Sequence, residues 1–254
     1  MTTTKKKTEP ELAPATISEH DGVRYLHLGT PWVQGAMNLK KPAALELEYI
    51  QRMMAWMLLR PAGELARGHA VQLGLGAGAI TRFTQGVMKM KTTVVELNPT
   101  VIGVNRAFFR LPAEGARFRV LEMDAQHYVD EVAEPGSADV LCVDLYDHEA
   151  ASPVLDSEAF YRGCARLLAE GGVMSVNLFG RDASFVRSAR RIAAAFEGGT
   201  VISLQPTREG NTVVLALKHG DVPEREELVQ RAQQIDTRYG LPARKWLRMI
   251  RPLP

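Results

Sequence analysis

Between His69 and Lys218 the chain repeats one pattern: a short apolar run, a turn, an amphipathic stretch with helical spacing, then an apolar run again. Parallel neighbouring strands need a crossover between them, and a helix is the usual crossover. The alternation therefore restricts this stretch to an α/β architecture with a mostly parallel sheet. The strand-like runs are HAVQLGLG, KTTVVELN, RFRVLEMD, ADVLCVDL, GVMSVNLFG, TVISLQP and TVVLALK. ADVLCVDL is almost continuously apolar, as a strand covered on both faces must be. TVISLQP and TVVLALK are split only by TREGN, too short for a crossover, so they read as a hairpin with an antiparallel final strand. Seven strands are expected.

The flanks read differently. Residues 1–19 are polar, carry Lys5 to Lys7, and are expected to be a mobile tail. Residues 20–66 are expected to hold two short strands, Val23–Leu28 and Trp32–Met37. A helix of about five turns follows, opened by Pro42 and stopped by Pro61 and Gly63. The regular alternation fills 67–220, and 221–254 is expected to be a C-terminal helix, REELVQRAQQIDTRYG, with a tail. Leu45, Tyr49, Met53, Trp56 and Met57 spread over more than one face of the early helix, which predicts a homodimer.

Composition removes several functions. The chain has 254 residues and a formal net charge of +2, which offers no general basic field for a nucleic-acid backbone. No apolar run approaches the ~18 residues of a membrane-spanning helix. MTTTKKKTEPELAP leads into no apolar stretch, so no secretory signal and no membrane partner are expected, and the location expected is the cytoplasm. Cys142 and Cys164 alone make no disulfide framework, and no histidine pair has metal spacing, so no metal is expected.

In an open parallel sheet ligands sit beyond the carboxyl ends of the strands, so the residues there carry the functional information. The first strand ends in Gly74-Leu75-Gly76-Ala77-Gly78, where glycines let backbone approach a ligand. Glu96 ends the second strand, placed to accept both hydroxyls of a ribose. Asp124 ends the third, placed either to meet an adenine amino group with help from Ala125 or to cap the following helix. The fourth ends in Asp144-Leu145-Tyr146-Asp147-His148. A carboxylate here, beside the reactive carbon of a nucleoside cofactor, could bind a cationic amine or take its proton. Gly74-x-Gly76-x-x-Ala79 with Glu96 also fits a dinucleotide fingerprint. Acids recurring at three strand ends, with a terminal hairpin, suit a nucleoside without a pyrophosphate better.

These residues resemble the class I S-adenosylmethionine-dependent methyltransferase fold, a Rossmann-like arrangement, and more narrowly the spermidine synthase (polyamine aminopropyltransferase) family. The features that carry the resemblance are Val33-Gln34-Gly35-Ala36-Met37 before a helix with Tyr49, then GLGAG, VELNP, EMDAQ and VDLYD, with SEAFYRGCARLLAEGG beyond, over residues 23–218. The resemblance implies that Gln34, Gly74, Gly76, Gly78, Glu96, Asp124 and Ala125 hold S-adenosylmethionine or its decarboxylated form. It implies Asp144 and Asp147 as catalytic acids, and Tyr49 and Tyr146 as contacts to a small amine. Two departures stand out. The family's acid inside the glycine turn is Ala77 here, and its Tyr-His-Glu reads Tyr49-Ile50-Gln51. The function implied is aminopropyl transfer from decarboxylated S-adenosylmethionine to a small polyamine, in polyamine biosynthesis. A methyltransferase and a nucleoside-binding dimeric module with little catalysis are the alternatives.

Overall fold

The computed structural model describes residues 12–145, 155–179 and 183–253. Two sheets form. The smaller is antiparallel, with β1 (Ala15–His20), β2 (Val23–Leu28) and β3 (Gly35–Asn38) side by side. The larger has eight strands in the order β11-β9-β10-β8-β7-β4-β5-β6. Its members are β4 (His69–Leu73), β5 (Lys91–Glu96), β6 (Phe118–Glu122), β7 (Ala138–Val143), β8 (Leu168–Phe179), β9 (Thr200–Leu204), β10 (Asn211–Leu217) and β11 (Ile250–Pro252). From β6 across β5, β4 and β7 to β8 every pairing is parallel. The expected hairpin is present: β10 runs antiparallel between β8 and β9.

Helices cover both faces. On one side α1 (Glu48–Met53), α7 (Arg225–Tyr239) and α8 (Ala243–Met249) bury Trp56, Trp246 and Ile235 against Cys142, Val173 and Leu215. On the other, α4 (Ala125–His127), α5 (Glu158–Leu167) and α6 (Ala183–Ala195) enclose Phe160, Tyr161 and Ile192 over Leu141, Met174 and Val214. Alternate residues of each strand thus enter opposite cores, which is why these strands read as unbroken apolar runs. A third core, with Leu26, Met37 and Phe109, joins the small sheet to α3 (Pro99–Phe108). After the short α2 (Ala79–Thr81) the chain widens into π-type turns over Arg82–Val87. No described helix is long and apolar enough to cross a membrane.

Several expectations are corrected. The large sheet has eight strands, not seven, because Ile250–Pro252 pairs with β9 and so turns part of the C-terminal tail into an edge strand. Residues 15–19, placed in the mobile tail, pair along their whole length with β2; residues 1–11 lie outside the described part. The second short strand begins at Gly35 rather than Trp32. The five-turn helix from Pro42 is instead α1 followed by a 3-10 segment, Met54–Leu58. Gln51 Nε2 donates to the Leu45 carbonyl at 2.7 Å, which holds the approach to α1 in a turn. Ser175 Oγ donates to the Met53 carbonyl at 2.8 Å, where the tighter winding begins. The stripe read as a dimer face is internal. Met53, Trp56 and Met57 are fully buried, and Leu45 and Tyr49 pack against the same core, so those side chains leave no apolar face for a second copy.

Candidate active site

The site begins where three strand ends are knitted together. Gly74 donates to the Val95 carbonyl at 2.9 Å, and Asp144 donates to the Leu73 carbonyl at 3.0 Å. Gly74 has φ +87°, and a Cβ on it would lie 2.2 Å from the Asp144 carbonyl oxygen. Only glycine permits that approach. Buried Gln72 braces the turn from below, donating to the Gly74 carbonyl at 2.7 Å while accepting from Thr81 Oγ1 at 2.6 Å. Buried Arg82 donates to the Ala77, Phe109 and Pro42 carbonyls, and burial pushes its pKa down to about 10. The small sheet closes on this turn, since a Cβ on Gly35 would lie 2.6 Å from that of Ala77.

Glu96 accepts from the Leu75 and Asn98 backbone N–H groups, both at 2.8 Å. Burial raises its pKa and these backbone donors oppose the rise. The carboxylate keeps acceptor capacity beyond its backbone donors, which a ribose hydroxyl can use. Asn98 caps α3 by accepting from Thr100 N at 2.9 Å. Asp124 caps α4 by accepting from His127 N at 2.9 Å, and it lines the cavity as well, so both roles read from sequence are open to it. Asp144 is half-buried at the end of β7. Asn177 Nδ2 donates to its Oδ1 at 2.9 Å and the Tyr49 hydroxyl to its Oδ2 at 3.3 Å. Burial pushes its carboxyl above the usual range, while Asn177 and then Tyr49 pull it back.

A cavity of about 1090 Å³ joins these elements. The glycine turn contributes Gly74 and Gly76, and the strand ends contribute Glu96, Asp124, Ala125 and Asp144. Gln34 and Tyr49 close it from the N-terminal side. Gly78 is not brought to the cavity. It takes φ +67° as the residue before α2, and a Cβ there would meet Asn105 Oδ1 at 2.8 Å, so it shapes the turn instead. Tyr146 and Asp147 lie outside the described residues.

Sequence reasoning missed a second set. Among the described lining residues the charged groups are Glu46, Glu48, Glu96, Asp124, Asp144 and Glu209, all carboxylates. Glu209 and Asn211 both belong to the TREGN connection, read only as a turn. The available signal was direction, because an antiparallel strand starts where its parallel neighbours end, so the first residue of β10 lies at the functional edge. Asn177 is a polar residue near the carboxyl end of an apolar strand, and Trp32 lines the cavity although it is 64% exposed.

Comparison with known proteins follows this geometry. The spermine/spermidine synthase domain matches residues 74–206. The polyamine aminopropyltransferase of Neisseria meningitidis serogroup B (strain MC58) is 34% identical over 227 residues, spanning 89% of this chain and 84% of that protein. That of Chromobacterium violaceum is 35% identical over the same shares. Among solved structures, a probable spermidine synthase from Corynebacterium glutamicum ATCC 13032 superposes with a TM-score of 0.71 at 21% identity, covering 90% of this chain and 85% of that one. At that identity the superposition speaks for the fold.

Proposed function

The chain belongs to the spermine/spermidine synthase family, and from that premise we propose that it is a polyamine aminopropyltransferase. It moves the aminopropyl group of decarboxylated S-adenosylmethionine to a small polyamine and releases methylthioadenosine. The observation that carries this reading is the sign of the cavity, since every charged residue among its described lining is an acid. Such a lining favours a cationic amine and a donor with no carboxylate, and it repels the carboxylate of intact S-adenosylmethionine.

In this reading residues 67–220 hold the donor and residues 20–66 cover it. Glu96 accepts the ribose hydroxyls, the glycine turn runs beside the sulfonium, and Asp124, Ala125 and Gln34 surround the nucleoside. Asp144 takes the acceptor. A polyamine nitrogen is protonated near neutrality, close to the ~10.4 of a lysine amine, and must lose that proton before it attacks. Asp144 binds the ammonium and accepts its proton. The freed nitrogen lone pair forms a bond to the methylene carbon beside sulfur. The carbon–sulfur pair returns to sulfur, which leaves as a neutral thioether, and the proton passes to water. Asp147 is assigned the other end of the acceptor.

Titration calorimetry with the two donors tests the charge argument. The decarboxylated donor is expected to bind more tightly than intact S-adenosylmethionine. Equal or tighter binding of the intact donor would favour methyl transfer and overturn the proposal.

A further inference from the structure

Asp144 does not stand alone at the cavity wall. Asn177 of β8 is 3% exposed, lines the cavity, and spends its amide nitrogen on Asp144 Oδ1 at 2.9 Å. Its own Oδ1 accepts from Asn211 Nδ2 of β10 at 3.1 Å. Asn177 sits opposite Val213 and Asn211 opposite Phe179, so the two amides are diagonal neighbours on one face of the β8–β10 pair. For an ionised Asp144, chemistry fixes the direction of this chain without reference to how the amides are drawn. An ionised carboxylate only accepts, so Asn177 must turn its NH2 to Asp144. That leaves its carbonyl oxygen for Asn211, which must then turn its own NH2 inward.

We propose that Asn177 and Asn211 are positioning residues, a two-amide relay that keeps Asp144 aimed into the cavity as a proton-accepting carboxylate. The catalytic meaning of the relay rests on the aminopropyl-transfer reading, although its hydrogen-bond chemistry does not. Loss of the Asn211 donor removes one of the contacts that orient Asn177, and a reversed Asn177 would present its carbonyl oxygen to Asp144. That oxygen is satisfied only by a protonated acid, so the reversal favours the neutral, inactive form.

Among the described residues of the cavity lining, no cation stands ready to hold Asp144 ionised. Glu46 and Glu48 come from the approach to and start of α1, Glu96 from β5, Asp124 from the end of β6 and Glu209 from the β9–β10 connection. All are acids and none supplies a counter-charge to Asp144; Glu48 is itself paired with Arg52 at 2.5 Å. Cys142 lies two residues back on β7, with its thiol pushed up to about 12 by burial and by Asp144, so it stays neutral. Tyr49 of α1 is the other described donor to the carboxylate, at the longer distance of 3.3 Å. Against burial, the Asn177 amide is the shorter of the two hydrogen bonds that support the anion.

The experiment is a carboxyl-carbon NMR titration of the full protein labelled at aspartate, without substrates, with Asp144→Asn used to assign the signal. Asn177→Leu is expected to move the Asp144 midpoint to higher pH, and Asn211→Ala to move it the same way by less. Asn211→Ser, which keeps a donor, should return it towards the wild-type value. In turnover, Asn177→Leu should lose about tenfold at the acid end of the profile, the scale of one hydrogen bond to a charged group. It should lose far less on the alkaline plateau, with the donor KM unchanged. An unmoved midpoint in both folded variants, or an equal loss of activity at every pH, would overturn the relay. Should Asn177→Leu fail to fold, the half-buried Asn211 variants carry the titration. If the wild-type protein transferred no aminopropyl group, the functional proposal would fall while the NMR titration still decided the relay.

Discussion

Asp144 sits where backbone from β4 and β7 converges, and its surroundings oppose its charge at the point where the chemistry uses that charge. Asp144→Asn keeps the shape and removes the proton acceptor. Turnover should fall by roughly 10²–10⁴, the usual share of general acid–base catalysis, with donor affinity little changed by calorimetry. Stability should move in the opposite direction. Burial raises the pKa of Asp144 in the folded state, so the folded protein binds more protons than the unfolded chain in the window between the ordinary carboxylate range and that raised value. Stability contributed by the protonated form is therefore present at low pH and lost as pH rises through the folded pKa. The Asp144→Asn variant should accordingly melt above the wild type at pH 8, with the difference closing on acidification. A variant that melts lower at pH 8 would show that the Asn177 and Tyr49 hydrogen bonds outweigh the cost of burying the charge.

The glycine turn and its covering strand work as one element. Gly35→Val places a branched side chain against Ala77, where even a Cβ would stand 2.6 Å away. Overpacking of this kind costs about 1–3 kcal/mol and should push β3 off the turn, so both the denaturation midpoint and donor affinity should drop together. Glu96→Ala should weaken donor binding by about 1.5–3 kcal/mol, the range of hydrogen bonds to a charged group. It also strips acceptors from Leu75 and Asn98, so Glu96→Gln is the cleaner probe. At this scale the sequence was legible where a pattern had length. The parallel strands, the hairpin and the acids at the strand ends could all be read in advance. Elements without such a signature could not. Ile250–Pro252 is too short to alternate and contains a proline, and β1 is exposed along most of its length, so neither strand shows an apolar period. At the break in the early helix the Met53 carbonyl accepts from Ser175, far away in the chain. Asn177 and Asn211 meet only because β10 inserts beside β8, a consequence of topology rather than of spacing.

Across the whole molecule the small N-terminal sheet is clamped over the strand ends of the large one. Asn98 Nδ2 donates to the Ala13 carbonyl at 2.8 Å, Ala15 N to Thr100 Oγ1 at 3.0 Å, and Arg24 reaches the Phe108 carbonyl across its ring. The start of α3 thus anchors both the lid and, through Glu96, the proposed ribose site. Asn98→Ala should cost about 1 kcal/mol through the lost cap and weaken donor binding as the sheet loosens, measured by thermal melting and calorimetry on the same variant. The central claim joins this acidic cavity to amine chemistry at Asp144. Its most direct test is to incubate the protein with decarboxylated S-adenosylmethionine and a short diamine and to identify the products by mass spectrometry. The expected result is methylthioadenosine together with a diamine heavier by one aminopropyl group, both lost in Asp144→Asn. Consumption of intact S-adenosylmethionine with a methylated product, or tight donor binding without turnover across a series of di- and triamines, would contradict it.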